Sequence, residues 1–595
     1  MLFNPAVQAA AVRPNRYDLA LLPLLAALLA AAMYGAVQMA APLASSAPVA
    51  LAPHHLPYYL LRTLLRMFAA LGCSLLFTFA FAVAANRYPR VGKALLPLLD
   101  VLQSVPVLGF QAIAVAPFIA LFPGSVLGAE CAAIFAIFSS QAWNMAFSLY
   151  HSIRTVPPAL QRAARRQRMN GWQRFWRIEL PHGAQPLLWN MMMSMSGGWF
   201  FLVASEVITV AGRDIRLPGI GAWIAAAIEQ RDMIAIAWAM LAMLAGIVLY
   251  DQLLFRPLLA WTSRMQGNTT QRRTWLMNWV RRGAWTRVLA GSLYRGLAGM
   301  PGWYSQPPAT AGEAAARWAG KHAAHAEGTQ RNTPRAAMRH LRKFAPLAAG
   351  FACAVAAAWA LSACATLIEA ECGWRETAHV AWLGLLTLLR VLVPVALVSL
   401  FWVPFSIWAG LRPRRTKIVQ GAAQWLAALP LNLLFPLAAV ALATFRLNPD
   451  IWLSVLLVAG TQWYILFNVM AGAATLPEKQ VAGLTRWQTW RGVYLPAVAP
   501  HCVTGMLTAC GGSWNASVVA EYINWGDTTV TAHGLGSYIR QMTDAGDMPR
   551  LALGIAVMCI YVVALNHTLW RGLYRLADRR QPALTFANGT GTAVG

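Results

Sequence analysis

Charge is the first shortage. Only 12% of the 595 residues are Asp, Glu, Lys or Arg, about half of the roughly 25% found in soluble domains. Acidic residues are the scarcer kind, 21 against 48 basic ones, which leaves a formal net charge of +27. That shortage excludes a water-coated globule of this length. The eight cysteines (Cys73, Cys131, Cys353, Cys364, Cys372, Cys502, Cys510 and Cys559) fall mostly inside apolar runs. They show no metal-ligand spacing and no disulfide framework, so they are expected as small packing residues. No leader with a cleavage site is expected, and the stretch Asp18 to Ala40 is expected to be a retained first helix. Gly320-Lys321 lacks the upstream Gly and following Ser or Thr of a phosphate-binding loop. No His/Asp/Glu cluster recurs in the apolar runs, and His54 and His55 fall in a loop, which argues against an embedded enzyme.

What the chain has instead is grease. Hydrophobic residues make up 58%, the mean hydropathy is +0.49, and 26 Trp and 23 Phe suit many water–lipid boundaries. Apolar runs of spanning length lie near residues 18–40, 64–85, 104–122, 130–149, 188–210 and 234–254. A second set lies near 344–367, 383–408, 422–443, 451–470, 502–521 and 551–569. Each holds about 20 residues, enough to cross a bilayer as a helix, and the backbone must be helical there to satisfy its own hydrogen bonds. The third and ninth runs are the least clean.

Basic residues mark alternate loops. Arg87, Arg90 and Lys93 follow the second run, and a cluster from Arg154 to Arg177 follows the fourth. Arg412, Arg414, Arg415 and Lys417 follow the eighth, and Lys479, Arg486 and Arg491 the tenth. Retention of basic loops on the cytoplasmic side then predicts about twelve transmembrane helices with both termini cytoplasmic. The same rule accounts for the net charge without nucleic acid. The expected class is an all-α polytopic membrane protein.

The second set of runs repeats the first. Trp172 and Pro181 align with Trp487 and Pro496 at one offset, 487 − 172 = 496 − 181 = 315. That offset also carries Gly197 to Gly512, Trp199 to Trp514, Glu206 to Glu521 and Gly221 to Gly536. Upstream, Arg66, Pro89 and Pro106 match Arg390, Pro413 and Pro430 at 390 − 66 = 324. Six spans per half keep the halves parallel, so the expected architecture is two six-helix modules about a pseudo-twofold axis along the membrane normal. The expected boundaries are 1–262 for the first module, 263–343 for a basic amphipathic helix and linker, and 344–595 for the second module. Trp275 and Trp279, one turn apart among arginines, suit an anionic membrane surface.

In each half a polar, Trp-led segment interrupts the grease: "WQRFWRIELP" at 172–181 and "WQTWRGVYLP" at 487–496. Trp172, Phe175 and Trp176 fall at i, i+3 and i+4, one aromatic stripe on a short helix, with Trp487 and Trp490 in the matching places. Pro181 and Pro496 are expected to stop these helices and turn the chain back into the bilayer. Such a helix could seat on headgroups, or dock in a groove on a soluble partner.

"ALQRAARRQRMNGWQRFWRIELP" resembles the EAA loop of permease subunits of binding-protein-dependent ABC importers. "SGGWFFLVASEVI", "LPGIGAWI" and "LYDQLLFRPLLAW" resemble the nitrate/sulfonate/taurine type of these permeases. The resemblance implies a fused ABC-importer permease for a small anion such as nitrate, sulfonate or taurine. It also implies cytoplasmic ABC ATPases that bind ATP and Mg in place of any cofactor in this chain, and a periplasmic or extracellular substrate-binding protein. The ATPase-coupling residues it implies are Ala163, Ala164, Gly171, Trp172, Phe175, Trp176, Ile178, Leu180 and Pro181. In the second half they are Gly483, Trp487, Trp490, Val493, Leu495 and Pro496. The loops depart from the motif. Arg168 stands where its Gly should be, Arg162 replaces its Glu, and the second copy keeps Gly483 but loses Glu-Ala-Ala. Unlike loops suggest unlike docking contacts and a divergent or heterodimeric ATPase.

Glu206 and Glu521 are expected near the outer ends of the fifth and eleventh spans. Two readings are open: path-lining carboxylates, or interfacial ones bonded to nearby backbone, Arg213 or Arg216. Trp199 and Trp514, seven residues earlier, either line the same path or pack neighbouring helices. The alternative to a permease is a twelve-helix secondary transporter, which would need ionisable residues near mid-membrane.

Overall fold

The computed structural model describes chiefly residues 49–104, 107–167, 169–210, 213–265, 372–428, 434–474, 485–525 and 528–579. In the first half the main helices are α1 (Leu56–Arg87), α2 (Val107–Leu121), α3 (Leu127–Arg154), α4 (Leu180–Ser205), α5 (Ile220–Glu229) and α6 (Met233–Tyr250). The second half repeats them as α7 (Trp374–Gly410), α8 (Phe435–Phe445), the pair α9 (Pro449–Ala459) and α10 (Gln462–Ala473), α11 (Leu495–Ala520), α12 (Leu535–Ala545) and α13 (Met548–Leu565). The chain is an all-α polytopic membrane protein built from two parallel modules.

Twelve spans are expected from the sequence. Among the described residues seven helices are long and apolar enough to cross, or eight if α9 and α10, bent by 41°, count as one. The run at 18–40 is described only at residues 30 and 33–39, and the run at 344–367 and the 263–343 linker with Trp275 and Trp279 lie almost wholly outside the described residues. The runs at 104–122 and 422–443 fall short. There α2 has 15 residues and α8 has 11, roughly 22 and 16 Å at about 1.5 Å per residue against a core of about 30 Å. Around the third run, helices Pro89–Ser104 and Val107–Leu121 lie on either side of Pro106. A proline there lacks an N–H and clashes with the preceding residue, which opposes one continuous helix. The helix Arg256–Met265 passes the boundary expected at 262.

Each of α4 and α11 ends in a small antiparallel hairpin that the sequence reading did not include. β1 (Val207–Val210) pairs with β2 (Arg213–Arg216), Val207 opposite Arg216. β3 (Tyr522–Trp525) pairs with β4 (Thr528–Thr531), Tyr522 opposite Thr531. Both hairpins obey the 315 offset (522 − 207 = 531 − 216 = 315). Each module has its own apolar core, with Met67, Trp199 and Trp223 at its centre in the first and Val391, Ile465 and Trp514 in the second. The modules also touch. Phe200, Phe201 and Ala204 pack against the second core, and the Val107 N–H donates to Asn515 Oδ1 at 2.6 Å.

Candidate functional site

The Trp-led segments are where the structure departs most from expectation. Pro181 and Pro496 do not stop their helices. Gly171–Arg174, a π turn at Phe175–Glu179 and α4 run on as one apolar helix from Gly171 to Ser205. Trp490–Tyr494 is the matching π turn, and the second continuous stretch is Trp487–Ala520. Each proline comes directly after the π turn, second in the regular α-helical stretch that follows it. The wider π turn before it leaves room for the ring.

The front of each segment is fixed by a capping box, which the sequence reading missed although its pattern was visible. Asn170 Oδ1 accepts from the Gln173 N–H at 2.8 Å, and Gln173 Oε1 accepts from the Asn170 N–H at 3.1 Å. Thr485 and Gln488 do the same at 3.3 and 3.0 Å. The stripe splits on folding. Phe175 is buried against Phe79, ring centroids 5.7 Å apart, while Trp172 stays 54% exposed and Trp487 72%. Trp176 is half-buried, edge-on to Trp172 at 5.4 Å; Trp490 is likewise half-buried, against Tyr494.

The two segments are held differently. In the first, Arg87 donates to the Gly171 carbonyl and Arg174 pairs with buried Glu179 at 2.6 Å. The second has Thr489 and Tyr494 in the last two places (174 + 315 and 179 + 315). Ala163 and Ala164 lie on the helix Pro158–Arg166, with Ala164 buried. Ile178, Leu180, Pro181, Val493 and Pro496 are half-buried, Gly171 and Leu495 are exposed, and Gly483 lies outside the described residues.

Glu206 and Glu521 sit one residue past α4 and α11 and are wholly buried. Of the partners offered for Glu206, backbone is found, in the Gly221 N–H, but Arg216 goes to Glu229, and the cation that Glu206 takes is Arg66. Glu206 Oε1 accepts from Arg66 Nη1 at 2.7 Å and from Thr63 Oγ1 at 2.6 Å, and Oε2 from the Gly221 N–H. Arg66 also grips Glu130 through Nε at 2.5 Å and Nη2 at 2.8 Å, and Arg62 reaches Glu130 at 2.6 Å. Two guanidiniums thus face two carboxylates with no water access, a neutral cluster if all four are charged.

The second module keeps the core of this lock. Glu521 accepts from Arg390 Nη1 at 2.7 Å, Thr387 at 2.9 Å, and the Gly536 and Ser537 N–H groups at 2.7 and 3.2 Å. Its outer part differs. Arg390 turns to Asp450 at 3.0 Å, and Asp450 holds the exposed His533 at 3.0 Å.

The lock explains the "LPGIGAWI" phrase. A Cβ on Gly219 or Gly534 would lie 2.3 Å from the carboxylate, and one on Gly221 or Gly536 would meet the backbone oxygen of Val203 at 2.5 Å or Ser517 at 2.3 Å. Only glycine lets the helix start close over the carboxylate, which then answers the orphan N–H groups of α5 and α12.

Two cavities lie between the modules. The first, about 440 Å³, is lined by α4, α6 and the turn after it, facing Lys417, Gln424 and Tyr464 of the second module. The other, about 350 Å³, is lined by α11, α13 and the turn after it, facing Ser140, Trp143 and Asn144 of the first. They are copies: Met192, Gly197, Asp251 and Arg256 of the first become Leu507, Gly512, Asn566 and Arg571 of the second at +315.

The family described as binding-protein-dependent transport system inner membrane component matches at residues 76–255 and again at 402–581. Together the matches cover more than half of the chain. The chain belongs to this family. Each match begins inside the first long helix of a module and takes in its Trp-led segment and its buried glutamate, so the permease domain is present twice. Over 192 residues, 31% of this chain, it is 26% identical to the nitrate import permease protein NrtB of Leptolyngbya laminosa. Over 149 residues, 24% of the chain, it is 26% identical to the bicarbonate transport system permease protein CmpB of Synechococcus elongatus. The chain spans 64% of the first relative's length and 51% of the second's, less than two thirds of either.

The tandem permease places its four remaining candidate residues as follows. Trp199, Glu206 and Glu521 are 0% exposed and enclosed in their own modules, with Trp199 donating to Tyr250 at 3.4 Å. Trp514, 1% exposed, stacks on Tyr561 and lines the second cavity. Arg66 and Arg390 were visible in the sequence only as matched positions. A lone arginine in an apolar run was the signal for the lock, but its partners lie 64 and 140 residues away.

Proposed function

We propose that this tandem permease forms the translocation path of an ABC importer and is moved by cytoplasmic ATPases at Trp172 and Trp487. The observation that carries the proposal is mechanical. Each exposed tryptophan stands on a capped helix start that continues without a break into a long helix lining a cavity between the modules. A push on the tryptophan is therefore delivered to the wall of the path rather than absorbed in a loop. The lock at the far end of each long helix holds the lever against α1 or α7, so the module moves as a unit.

In this proposal ATP and Mg are bound and hydrolysed on the partner subunits, a substrate-binding protein delivers cargo to the outer face, and both termini are cytoplasmic in a bacterial inner membrane. The cargo is a small anion, as the names of the nitrate and bicarbonate relatives suggest. The extra ties of the first segment, Arg87 to Gly171 and Arg174 to Glu179, support unlike docking contacts and a heterodimeric ATPase pair. Co-purification of the full chain with an ATPase tests the assignment. Trp172→Ala with Trp487→Ala should abolish transport and co-purification while the membrane level of the chain is unchanged. Transport that survived in the double variant would overturn it.

A further inference from the structure

The two cavities between the modules are copies in position but differ in hydrogen bonding. In the first, the two donors that recur in the second at +315 are answered from within. Arg256 Nε pairs with Asp251 Oδ2 at 2.9 Å, and the Trp199 indole N–H donates to the Tyr250 hydroxyl. At +315, Asp251 becomes Asn566 and Tyr250 becomes Leu565. Both acceptors are gone, and both donors remain. Among the described residues Arg571 makes no ion pair, and the N–H of buried Trp514 has no hydrogen-bond partner. The amides of Asn144 and Asn566, which also line this cavity, are uncommitted, and its lining includes no carboxylate.

A cavity with one guanidinium, an orphaned buried N–H and free amides is short of negative charge and of acceptors. Leaving the buried Trp514 N–H unmade is costly, and an anion answers it together with the exposed Arg571 and the half-buried Asn144 and Asn566. One cation matches a single negative charge. The volume, about 350 Å³, lies at the small end of ligand cavities.

We propose that the second cavity binds a small monovalent oxyanion between Arg571, Asn566, Asn144 and Trp514. The proposal rests on the importer assignment for setting this cavity on the path, but its test requires neither ATPase nor transport.

The full chain, purified in lipid-free micelles, is titrated with sodium nitrate at constant ionic strength and followed by calorimetry and by indole fluorescence. Saturable binding is expected, with quenching from Trp514 and its neighbours. Asn566→Asp, which is isosteric and restores the carboxylate of the first cavity, should weaken binding roughly tenfold or more. Leu565→Tyr, which gives the Trp514 N–H an acceptor, should weaken it as well, and Asp251→Asn should not. If Asn566→Asp fails to fold, Arg571→Gln supplies the same readout. Absence of saturable nitrate binding, or wild-type affinity in folded Asn566→Asp or Arg571→Gln, overturns the proposal. Binding of short-chain phosphatidylglycerol in place of nitrate would also overturn it, by making the cavity a headgroup site. Loss of nitrate binding in a chain that still co-purifies with an ATPase would sink this site alone. Nitrate binding in a chain that recruits no ATPase would sink the importer assignment alone.

Discussion

Replacing Arg66 by Met is the sharpest test of the lock. Arg66, 0% exposed, bonds both Glu130 and Glu206, and all three are wholly buried. Removing it leaves Arg62 to answer Glu130 but only the neutral donors Thr63 and Gly221 on Glu206, so one negative charge stands without a cation in a closed site. Breaking a buried pair from one side costs about 3–5 kcal/mol, because the remaining charge has lost its partner without gaining water. At about 2–4 °C per kcal/mol for a unit of this size, the apparent Tm should fall by roughly 6–20 °C. Purified chain in detergent, followed by tryptophan fluorescence on heating, gives the measurement. Adding Glu206→Gln to Arg66→Met removes the orphan charge and should recover a clear part of the loss, since residues in one network couple by about 0.5–3 kcal/mol. A fall under about 2 °C in the single variant, or a double variant no more stable than the single, would refute the charge argument.

Gly221→Ala and Gly536→Ala drive a methyl to within 2.5 and 2.3 Å of backbone oxygens; each should cost about 1–3 kcal/mol as overpacking, checked by the same melt. Pro181→Ala should leave the long helix and the melt nearly unchanged, within about 1 kcal/mol, because the π turn before the proline already makes room for its ring; a large change in either direction would return it to the role of helix stop. Asn170→Ala with Thr485→Ala removes both capping boxes at about 1 kcal/mol each, and should lower ATPase co-purification without lowering the membrane level of the chain. Gly197→Ala would set a Cβ 2.7 Å from the Tyr464 hydroxyl oxygen, so Tyr464 must swing, and a cysteine-accessibility scan of the two cavities should register the shift.

The sequence alone determined the class, the duplication and the place of the Trp-led segments. Each of these is local or periodic: apolar runs of bilayer length, one offset carried through the second half of each module, and a Trp-led segment between runs. It misjudged Pro181 and Pro496, because a proline stops a helix only where its N–H was needed, and the π turn that relieves it leaves no mark in composition. In the third and ninth runs the described helices, of 15 and 11 residues, are shorter than the apolar runs themselves. Only the tertiary structure decided what Glu206 and Glu521 do. Their neighbours in sequence offer Arg216, but folding delivers Arg66 and Arg390 from helices some 130 to 140 residues earlier, and a carboxylate is buried by whichever cation packing brings. The difference between the two cavities has the same origin. Asn566 and Leu565 are unremarkable in a string of letters, and become a missing charge and a missing acceptor only when set beside Arg571 and Trp514.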